Sequence, residues 1–256
     1  MNIILVTGAS AGMGMEFVKQ VDLRFPKVDE IWLVARRKER LQELANSCKH
    51  KCRVIDLDLT EDDSFIILES LLEQENAQIR LLINNAGFGV IGTFSKLKRR
   101  ELTDMVRLNA EALTAINSVC IPFMKKNSRI ILMASSAAFM PQPSFAVYAA
   151  TKSFVLSLAY ALSEELRKEK IYVTAVCPGP VNTEFFDIAE KYGKILPIKK
   201  FFMSKPEAVV KKALIDSRNK KTVSVYGIAS KFMRIWGKIL PYKLLVRIIN
   251  MLYKEE

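Results

Sequence analysis

Histidine, cysteine and long apolar runs are scarce in this chain. Its 256 residues include one histidine and four cysteines, at Cys48, Cys52, Cys120 and Cys177. That is too few to suggest a disulfide framework in a chain of this length. No apolar run approaches the ~18 residues of a membrane-spanning helix without a charge. A strand-like segment begins at Asn2, which leaves no room for a signal peptide. These absences predict a cytoplasmic protein.

The single histidine restricts the chemistry available to the chain. His50 lies between Cys48 and Cys52, so a metal site is one interpretation of this segment. No further cluster of ligand residues accompanies the three, which favours a loop before a strand, with no metal. Because the only histidine is placed there, the sequence disfavours a Ser-His-Asp or Cys-His mechanism.

Acidic residues become scarce only in the last quarter of the chain. Residues 1–190 hold 23 basic and 23 acidic residues, whereas residues 191–256 hold 16 basic and 4 acidic residues. The last quarter therefore accounts for the whole net charge of +12. This predicts a local basic surface near the C-terminus and no general binding of nucleic acid.

Residues 228–256 combine that charge with helical periodicity. The segment 228–240 has a basic and an apolar stripe, formed by Lys231, Arg234 and Lys238 and by Phe232, Ile235, Trp236 and Ile239. The segment 242–254 has a polar stripe of Lys243, Arg247, Asn250 and Lys254. Both segments are predicted to be basic amphipathic helices, packed on the domain or another subunit, or lying on a membrane surface. A nucleic-acid module is disfavoured, because only Trp236 and Tyr242 could stack on bases.

Short apolar strands alternate with helical segments along the rest of the chain. Half of the residues are hydrophobic, which is enough for one sizeable core. Strands are predicted at 2–7, 30–35, 53–57, 79–83, 129–134, 171–176 and 222–226. Residues 185–204 carry no strand signal and are expected to form a mobile region over the site. The alternation predicts an α/β fold with a doubly wound parallel sheet of about seven strands and ligands at the strands' carboxyl ends.

A glycine-rich turn joins the first strand to the first helix. Gly8, Gly12 and Gly14 permit a tight turn and let the backbone approach a pyrophosphate at the helix N-terminus. Arg36 and Arg37 end the second strand, where a carboxylate would bind the ribose 2′-hydroxyl of NAD and arginine suits the 2′-phosphate of NADP. No carboxylate stands at 35–38. The sequence therefore predicts NADP(H), with NAD(H) as the alternative.

Tyr148 and Lys152 lie four residues apart, so on a helix the phenol and the ammonium sit one above the other. The ammonium is expected to lower the pKa of Tyr148 and make the phenol a usable proton donor or acceptor near neutral pH. Ser135 and Ser136 end the preceding strand. Asn109 lies inside a predicted helix at 98–124, as a functional or a solvent-facing residue, although asparagine is a mediocre helix former.

Together these residues resemble the short-chain dehydrogenase/reductase family, in its single-domain branch. The resemblance covers nearly the whole chain and includes a sheet-stabilising motif at residues 84–87. It implies a catalytic tetrad of Asn109, Ser135, Tyr148 and Lys152, with Ser135 chosen because it stands 13 residues before Tyr148. It implies cofactor contacts from Gly8, Ser10, Ala11, Gly12, Met13, Gly14, Arg36, Arg37, Asp58, Leu59, Asn85, Ala86, Gly87, Tyr148, Lys152, Pro178, Gly179, Val181 and Thr183.

The resemblance implies reversible hydride transfer between NADP(H) and a carbonyl or a secondary alcohol. Ser135 would donate to the carbonyl oxygen, Tyr148 would give the proton, and Lys152 would also hold the nicotinamide ribose. Asn109 would position a water that links Lys152 to solvent. The alternative is a non-catalytic NADP(H)-binding regulator of the same fold, against which the complete tetrad argues.

Three departures from the family pattern bear on these expectations. Ala11 replaces a basic residue common in NADP-using relatives, which leaves the 2′-phosphate to Arg36 and Arg37. Ala134 replaces a common serine, with no effect expected on catalysis. Phe139 replaces a common glycine and is expected to reshape the substrate pocket.

Domain division, partners and substrate are expected as follows. Residues 1–227 form a Rossmann-type catalytic domain, and residues 228–256 form a helical extension packed on or beside it, with peripheral membrane contact as one role. Relatives pair through the helices that correspond to 98–124 and 146–169, which predicts a dimer or tetramer. An apolar small-molecule substrate is suggested by Phe139, Phe145, Phe185, Phe186, Tyr192 and Ile195, although packing in the core would explain scattered aromatic residues equally well.

Overall fold

The computed structural model describes residues 1–193 and 203–254, with side chains through Met251. Seven strands form one parallel sheet in the order β3-β2-β1-β4-β5-β6-β7. The strands are β1 (Asn2–Thr7), β2 (Glu30–Ala35), β3 (Lys51–Asp56), β4 (Gln78–Asn84), β5 (Met124–Met133), β6 (Tyr172–Pro178) and β7 (Val223–Tyr226). The predicted sheet is confirmed, with the strand ends moved by a few residues.

Helices cover both faces of the sheet. They are α1 (Gly12–Arg24), α2 (Lys38–Ser47), α3 (Asp63–Gln74), α4 (Arg99–Val106), α5 (Leu113–Cys120), α6 (Ala146–Glu165), α7 (Phe185–Ala189), α8 (Pro206–Arg218), α9 (Ile228–Ile239) and α10 (Tyr242–Lys254). A π-helical segment, Arg107–Ala112, joins α4 to α5. Two cores result, one on each side of the sheet, and the alternate residues Ile3 and Ile4 of β1 belong to opposite cores.

The sheet reverses its direction of winding between β1 and β4. The chain runs from β1 outward to β2 and β3, then returns to pair β4 with the other edge of β1. Such a switch point leaves a crevice at the carboxyl ends of the strands. Thr7 ends β1 and Asn84 ends β4, so the residues that follow them border this crevice.

Two predicted segments differ from the structure. The helix carrying Tyr148 ends at Glu165, where residues to 169 were expected to continue it. The segment 185–204, expected to be mobile, begins with helix α7, and Ser204 forms a parallel bridge with Val181. Residues 194–202 of that segment, including Ile195, lie outside the described residues, as does the side chain of Lys254.

Within the described residues, α6 alone has the length and composition of a membrane span, with a mean hydropathy of 1.2. Its residues Tyr148, Lys152, Val155 and Ala159 are buried in the fold. Core helices commonly show the same length and hydropathy, so α6 is weak support for a membrane span.

Candidate active site

A cavity of about 1320 Å³ opens at the carboxyl ends of β1, β2, β4, β5 and β6. Ligand pockets commonly enclose roughly 300–1,000 Å³, so this one has room for more than one small molecule. Nearly all predicted cofactor residues line it, together with Ser135, Tyr148 and Lys152. Gly14 and Asn109 are absent from the lining, because both are buried behind it.

The glycine turn is fixed by backbone conformation and by close packing. Gly8 and Gly12 have φ angles of +65° and +52°, a region that side chains disfavour. A Cβ at Gly14 would collide with the Gly8 carbonyl oxygen. Gly14 therefore lets the first turn of α1 pack against β1.

Thr7 and Asn85 tie the turn to the neighbouring strand. The Thr7 hydroxyl accepts hydrogen bonds from the backbone N–H groups of Asn85 (2.9 Å) and Ala86 (3.0 Å). The Asn85 side chain donates to the carbonyl oxygens of Thr7 (3.1 Å) and Gly8 (3.3 Å). Asn84 reaches the other way, donating to the Leu113 carbonyl at 3.0 Å. These bonds give the predicted sheet-stabilising motif its geometry.

Two arginines stand where β2 ends. Arg37 Nε donates to Ser10 Oγ of the glycine turn at 3.2 Å. Arg36 forms an ion pair with Asp58 at 3.4 Å, on the loop that follows β3. Leu59 and Asp58 line the cavity beside them. The two guanidinium groups therefore border the cavity next to the glycine turn.

Glu184 is a neighbour of these arginines that the sequence did not reveal. Its carboxylate pairs with Arg37 at 3.2 Å and with Arg40 at 2.8 Å. These hydrogen bonds, the stronger from Arg40, lower the pKa of Glu184. Glu184 directly precedes α7 and lies 147 residues from Arg37 in sequence, so no local pattern could have found the contact.

The glycine turn and its neighbours fit a dinucleotide. The turn leaves no room for side chains at Gly8 and Gly14, and the N-terminus of α1 directs N–H groups into the space in front of it. Arg36 and Arg37 supply guanidinium donors suited to a phosphate. Ala11, the N-cap of α1, offers no cation, so the positive charge at this end comes from the end of β2.

Ser135, Tyr148 and Lys152 meet at the other part of the cavity. Ser135 follows β5, and its Oγ accepts a hydrogen bond from the Ala137 N–H at 3.1 Å. Ser135 lies close enough to the Tyr148 hydroxyl to influence its pKa. Lys152 Nζ donates to the Met133 carbonyl at 2.7 Å and lies 5.6 Å from the centre of the Tyr148 ring. Ser136 is buried and starts a 3-10 turn instead of joining this group.

The predicted effect of Lys152 on the phenol is wrong for this structure. Burial raises the pKa of Tyr148 to about 12, opposed by the side chain of Ser135 and reinforced by Cys177. Burial also lowers the pKa of Lys152 to about 8. The Lys152 ammonium donates to a backbone carbonyl, and the loss of water around the buried phenol and ammonium is the largest cause of both shifts.

Asn109 is fully buried behind the cavity, which excludes a solvent-facing residue. Its Oδ1 accepts from the Phe88 N–H at 3.0 Å, and its Nδ2 donates to the Phe88 carbonyl at 2.8 Å and to Thr151 at 3.1 Å. A Cβ at Gly87 would lie 2.8 Å from Asn109 Oδ1 and 3.3 Å from Lys152 Nζ. Asn109 thus lies beside Lys152, in a π-helical segment of the kind that is frequent at functional sites.

Aromatic rings form the apolar wall around Tyr148. Phe145 stacks on the phenol ring with centroids 4.2 Å apart, and Phe185 lies at 5.5 Å. Phe186 also lines the cavity. The predictions for Phe139 and Tyr192 are wrong. Phe139 packs into the core under α9 and Tyr192 lies outside the lining, so neither shapes this pocket.

The C-terminal helices supply part of the wall that was not predicted. Eight of their residues line the cavity, six of them large and apolar: Phe232, Met233, Trp236, Leu245, Ile248 and Ile249. Their amphipathic pattern was visible in the sequence, but it could not show that they return to the mouth of the site.

The histidine and cysteine segment lies away from the cavity. His50 Nδ1 is 2.8 Å from Asp22, which also accepts the backbone N–H groups of Lys49 and His50. All four cysteines are free thiols. In the part of the chain that the structure describes, no group of three His, Cys, Asp or Glu side chains could hold a metal ion.

Comparisons with known proteins show which family the chain resembles. A family model described as short chain dehydrogenase matches residues 2–192. An uncharacterised oxidoreductase of Staphylococcus epidermidis is 27% identical over 183 residues, which are 71% of this chain and 78% of that relative. A very-long-chain 3-oxoacyl-CoA reductase of Rattus norvegicus is 28% identical over 248 residues, 93% of this chain and 75% of that relative. A solved short-chain dehydrogenase of Sphingobium yanoikuyae in complex with NADPH matches with a TM-score of 0.78 at 28% identity, covering 93% of each chain.

Proposed function

The chain belongs to the short-chain dehydrogenase family, and from that premise we propose that it interconverts a carbonyl and a secondary alcohol with NADP(H). The observation that carries the proposal is the meeting of Ser135, Tyr148 and Lys152 in one cavity with the glycine turn and Arg36 and Arg37. Acid–base groups and a dinucleotide-binding turn in one space are what hydride transfer to a carbonyl requires.

Tyr148 is the proton donor in the reductive direction. When bound, NADPH would supply the hydride, which is chemistry that no side chain provides. With a pKa of about 12, the buried phenol keeps its proton at neutral pH. Ser135, which lines the cavity beside Tyr148, would donate to the carbonyl oxygen and stabilise its developing negative charge.

Lys152 and Asn109 assist proton transfer by Tyr148. As Tyr148 gives its proton away, the nearby ammonium of Lys152 stabilises the negative charge left on the phenol. With a pKa of about 8, Lys152 can also pass a proton near neutral pH. Its proximity to Asn109 Oδ1 supports a bound water as the link from Lys152 to solvent.

NADP(H) is the proposed cofactor and NAD(H) the alternative. Two exposed guanidinium groups border the expected ribose position, and no carboxylate follows β2 before α2. The NADPH in the Sphingobium structure adds support from a relative. Replacing both arginines by alanine should weaken NADPH binding and leave NADH binding unchanged.

The substrate is proposed to be an apolar carbonyl compound. Phe145, Phe185 and Phe186 surround Tyr148, whereas Arg99, Arg100 and Arg107 line another part of the same cavity. An apolar interior with a basic border suits a long acyl chain that ends in phosphates. The 3-oxoacyl-CoA named for the rat relative is therefore the first compound to assay.

Self-association to a dimer or tetramer is proposed through α4, α5 and α6. Val106, Phe154 and Tyr160 are large apolar side chains exposed on these helices. Their exposure supports an interface there.

Tyr148→Phe tests the proposed chemistry. The variant keeps the ring that stacks on Phe145 and loses only the hydroxyl, so kcat for carbonyl reduction should fall by about a hundredfold or more. NADPH binding, followed by fluorescence titration, should be unchanged. Tyr172→Phe, at the start of β6 and outside the cavity lining, is the matched control and should keep wild-type turnover.

Turnover at the wild-type rate in Tyr148→Phe would contradict the assignment. A wild type that binds NADPH but oxidises it with no member of a broad carbonyl panel would favour the alternative, a non-catalytic NADP(H)-binding regulator.

A further inference from the structure

Helix α9 is anchored to the domain along one side only. Ser230 is buried, and Gly237 lies so close to the Phe139 carbonyl oxygen that a Cβ there would collide with it. Arg234 donates to the Tyr160 hydroxyl at 3.3 Å. Packing therefore fixes the position of α9, and the residues on its other side are exposed to solvent in the folded protein.

The outer side of α9 exposes large apolar residues in a continuous stripe. Ile228 and Ile239 are each 72% exposed, and the three between them at helical spacing are more than half exposed, namely Phe232, Ile235 and Trp236. Soluble surfaces rarely gather so many large apolar side chains in one place. Lys231 and Lys238 lie along the edge of this stripe at i and i+7.

Helix α10 repeats the arrangement. Leu245 is buried at 3% exposure and holds the helix against the protein. Leu244, Ile248 and Met251 are exposed at spacings of four and three residues, on one side of the helix. Lys243 and Arg247 border this side, because Arg247 follows Leu244 by three residues and precedes Met251 by four. The apolar patch is defined here as Ile228, Phe232, Ile235, Trp236 and Ile239 of α9 with Leu244, Ile248 and Met251 of α10.

The charged residues of α9 and α10 themselves have one sign. Residues 228–254 include six Lys and Arg and no Asp or Glu. An apolar face bordered by cations fits the interface of an anionic bilayer, where each basic residue near the surface adds attraction. A two-fold pairing of the patch with a second copy would instead bring like charges together.

The apolar patch is also the rim of the active-site cavity. Phe232, Trp236 and Ile248 are exposed to solvent and line the cavity at the same time. A bilayer against the patch would therefore touch the opening through which Tyr148 is reached. The path from lipid to phenol runs over apolar side chains, including Met233 and Phe185.

We infer that α9 and α10 dock this protein on anionic membranes and that the carbonyl substrate enters the site from the bilayer. The docking surface stands on its own observations, whereas the entry of a carbonyl compound rests on the function proposed above. The lipid partner is recognised by negatively charged headgroups and acyl chains, without any specific headgroup contact.

Co-sedimentation of the full chain with vesicles tests the docking. The protein should sediment with vesicles of phosphatidylcholine and phosphatidylserine, and far less with phosphatidylcholine alone. Ile235→Ser/Ile239→Ser should weaken binding by about tenfold or more, because both side chains leave water on docking. These residues lie outside the cavity lining, and circular dichroism should show an intact fold. The control Ile66→Ser/Ile67→Ser, exposed on α3, should bind like the wild type.

Charge reversal separates electrostatic from apolar attraction. Lys231→Glu/Lys238→Glu should lower binding to the anionic vesicles by about tenfold or more, whereas Lys125→Glu/Lys126→Glu, the same change on β5, should have little effect. Wild-type protein that stays in solution with anionic vesicles would overturn the docking. So would sedimentation velocity showing that Ile235→Ser/Ile239→Ser converts an oligomer to a monomer, because the patch would then be a contact between copies.

The entry route is tested with a long-chain methyl ketone dissolved in the same vesicles. Ile235→Ser/Ile239→Ser should lose about tenfold of the NADPH-dependent turnover of this ketone and keep that of a short, water-soluble ketone. Equal turnover of both ketones by wild type and variant would overturn entry from the bilayer. Vesicle binding without turnover of any carbonyl would contradict the proposed function and support the docking.

Discussion

Burial governs the protonation of the two residues at the centre of the site. Tyr148 and Lys152 are 8% and 4% exposed, and each is shifted toward its neutral form. Their spacing in the sequence predicted their proximity, and the structure places both in one cavity. The direction of the tyrosine shift could not be predicted, because spacing carries no information about the water that folding removes.

The buried ammonium of Lys152 should give stability a specific pH dependence. Its pKa is lowered from an ordinary 10.5 to about 8. Between these values the unfolded chain holds a proton that the folded chain has released, so the free energy of unfolding rises with pH. Relative to Lys152→Met, the wild type should gain about 2 kcal/mol between about pH 7.5 and about pH 9.5.

Urea unfolding of both proteins at the two pH values measures this gain, and subtraction removes contributions from all other groups. A constant difference between wild type and Lys152→Met would show that the ammonium keeps an ordinary pKa in the folded chain.

Glu184 should reduce the affinity for a 2′-phosphate. Its carboxylate occupies Arg37 and adds a negative charge beside Arg40. Glu184→Gln should strengthen NADPH binding by about two- to fivefold, the scale of an exposed ion pair, and leave NADH binding unchanged. Glu165→Gln, an exposed glutamate on α6, removes the same charge elsewhere.

Isothermal titration of both variants with both cofactors provides the measurement. An equal change in NADPH and NADH affinity would mean that Glu184 affects binding by positioning its loop and not by opposing the 2′-phosphate.

At the level of elements, the regular strands and helices were predicted closely and the irregular ones were not. The succession of β1, glycine turn and α1 could be predicted, because closely spaced glycines between a strand and a helix are typical of a dinucleotide-binding turn. The π-helical segment around Asn109 was read as ordinary helix, since its residues fit either geometry. Helix α7 was not predicted, because its position depends on contacts with residues that line the cavity.

Gly14→Ala tests the packing of α1 against β1. In an exposed helix this change stabilises by up to about 1 kcal/mol. Here the added methyl group would collide with the Gly8 carbonyl oxygen, and such overpacking costs roughly 1–3 kcal/mol. The clash should outweigh the gain in helix propensity. The variant should therefore have a free energy of unfolding lower by about 1–2 kcal/mol and should bind NADPH more weakly.

Chemical denaturation beside Lys19→Ala on the exposed side of α1 checks this expectation. Lys19→Ala should lie within about 0.5 kcal/mol of the wild type. A Gly14→Ala protein more stable than the wild type would show that α1 can move away without cost.

At the level of the whole molecule, the topology of the sheet could be predicted from the sequence, whereas the location of the basic segment could not. Alternating strands and helices constrain a parallel sheet, so the seven-stranded architecture could be predicted from the sequence. The basic excess of residues 191–256 was equally visible, but its location relative to the site was not. The structure brings α9 and α10, which belong to this segment, back to the cavity, where their apolar side chains form part of its wall.

Transfer of deuterium tests the central claim most directly. The wild type is incubated with a carbonyl substrate and NADPH carrying deuterium at the carbon that gives the hydride. The alcohol product, analysed by mass spectrometry, should carry deuterium on its carbinol carbon, and only one of the two stereoisomers of labelled NADPH should transfer it. Oxidation of the labelled NADPH with no deuterium in an alcohol product would contradict hydride transfer at this site.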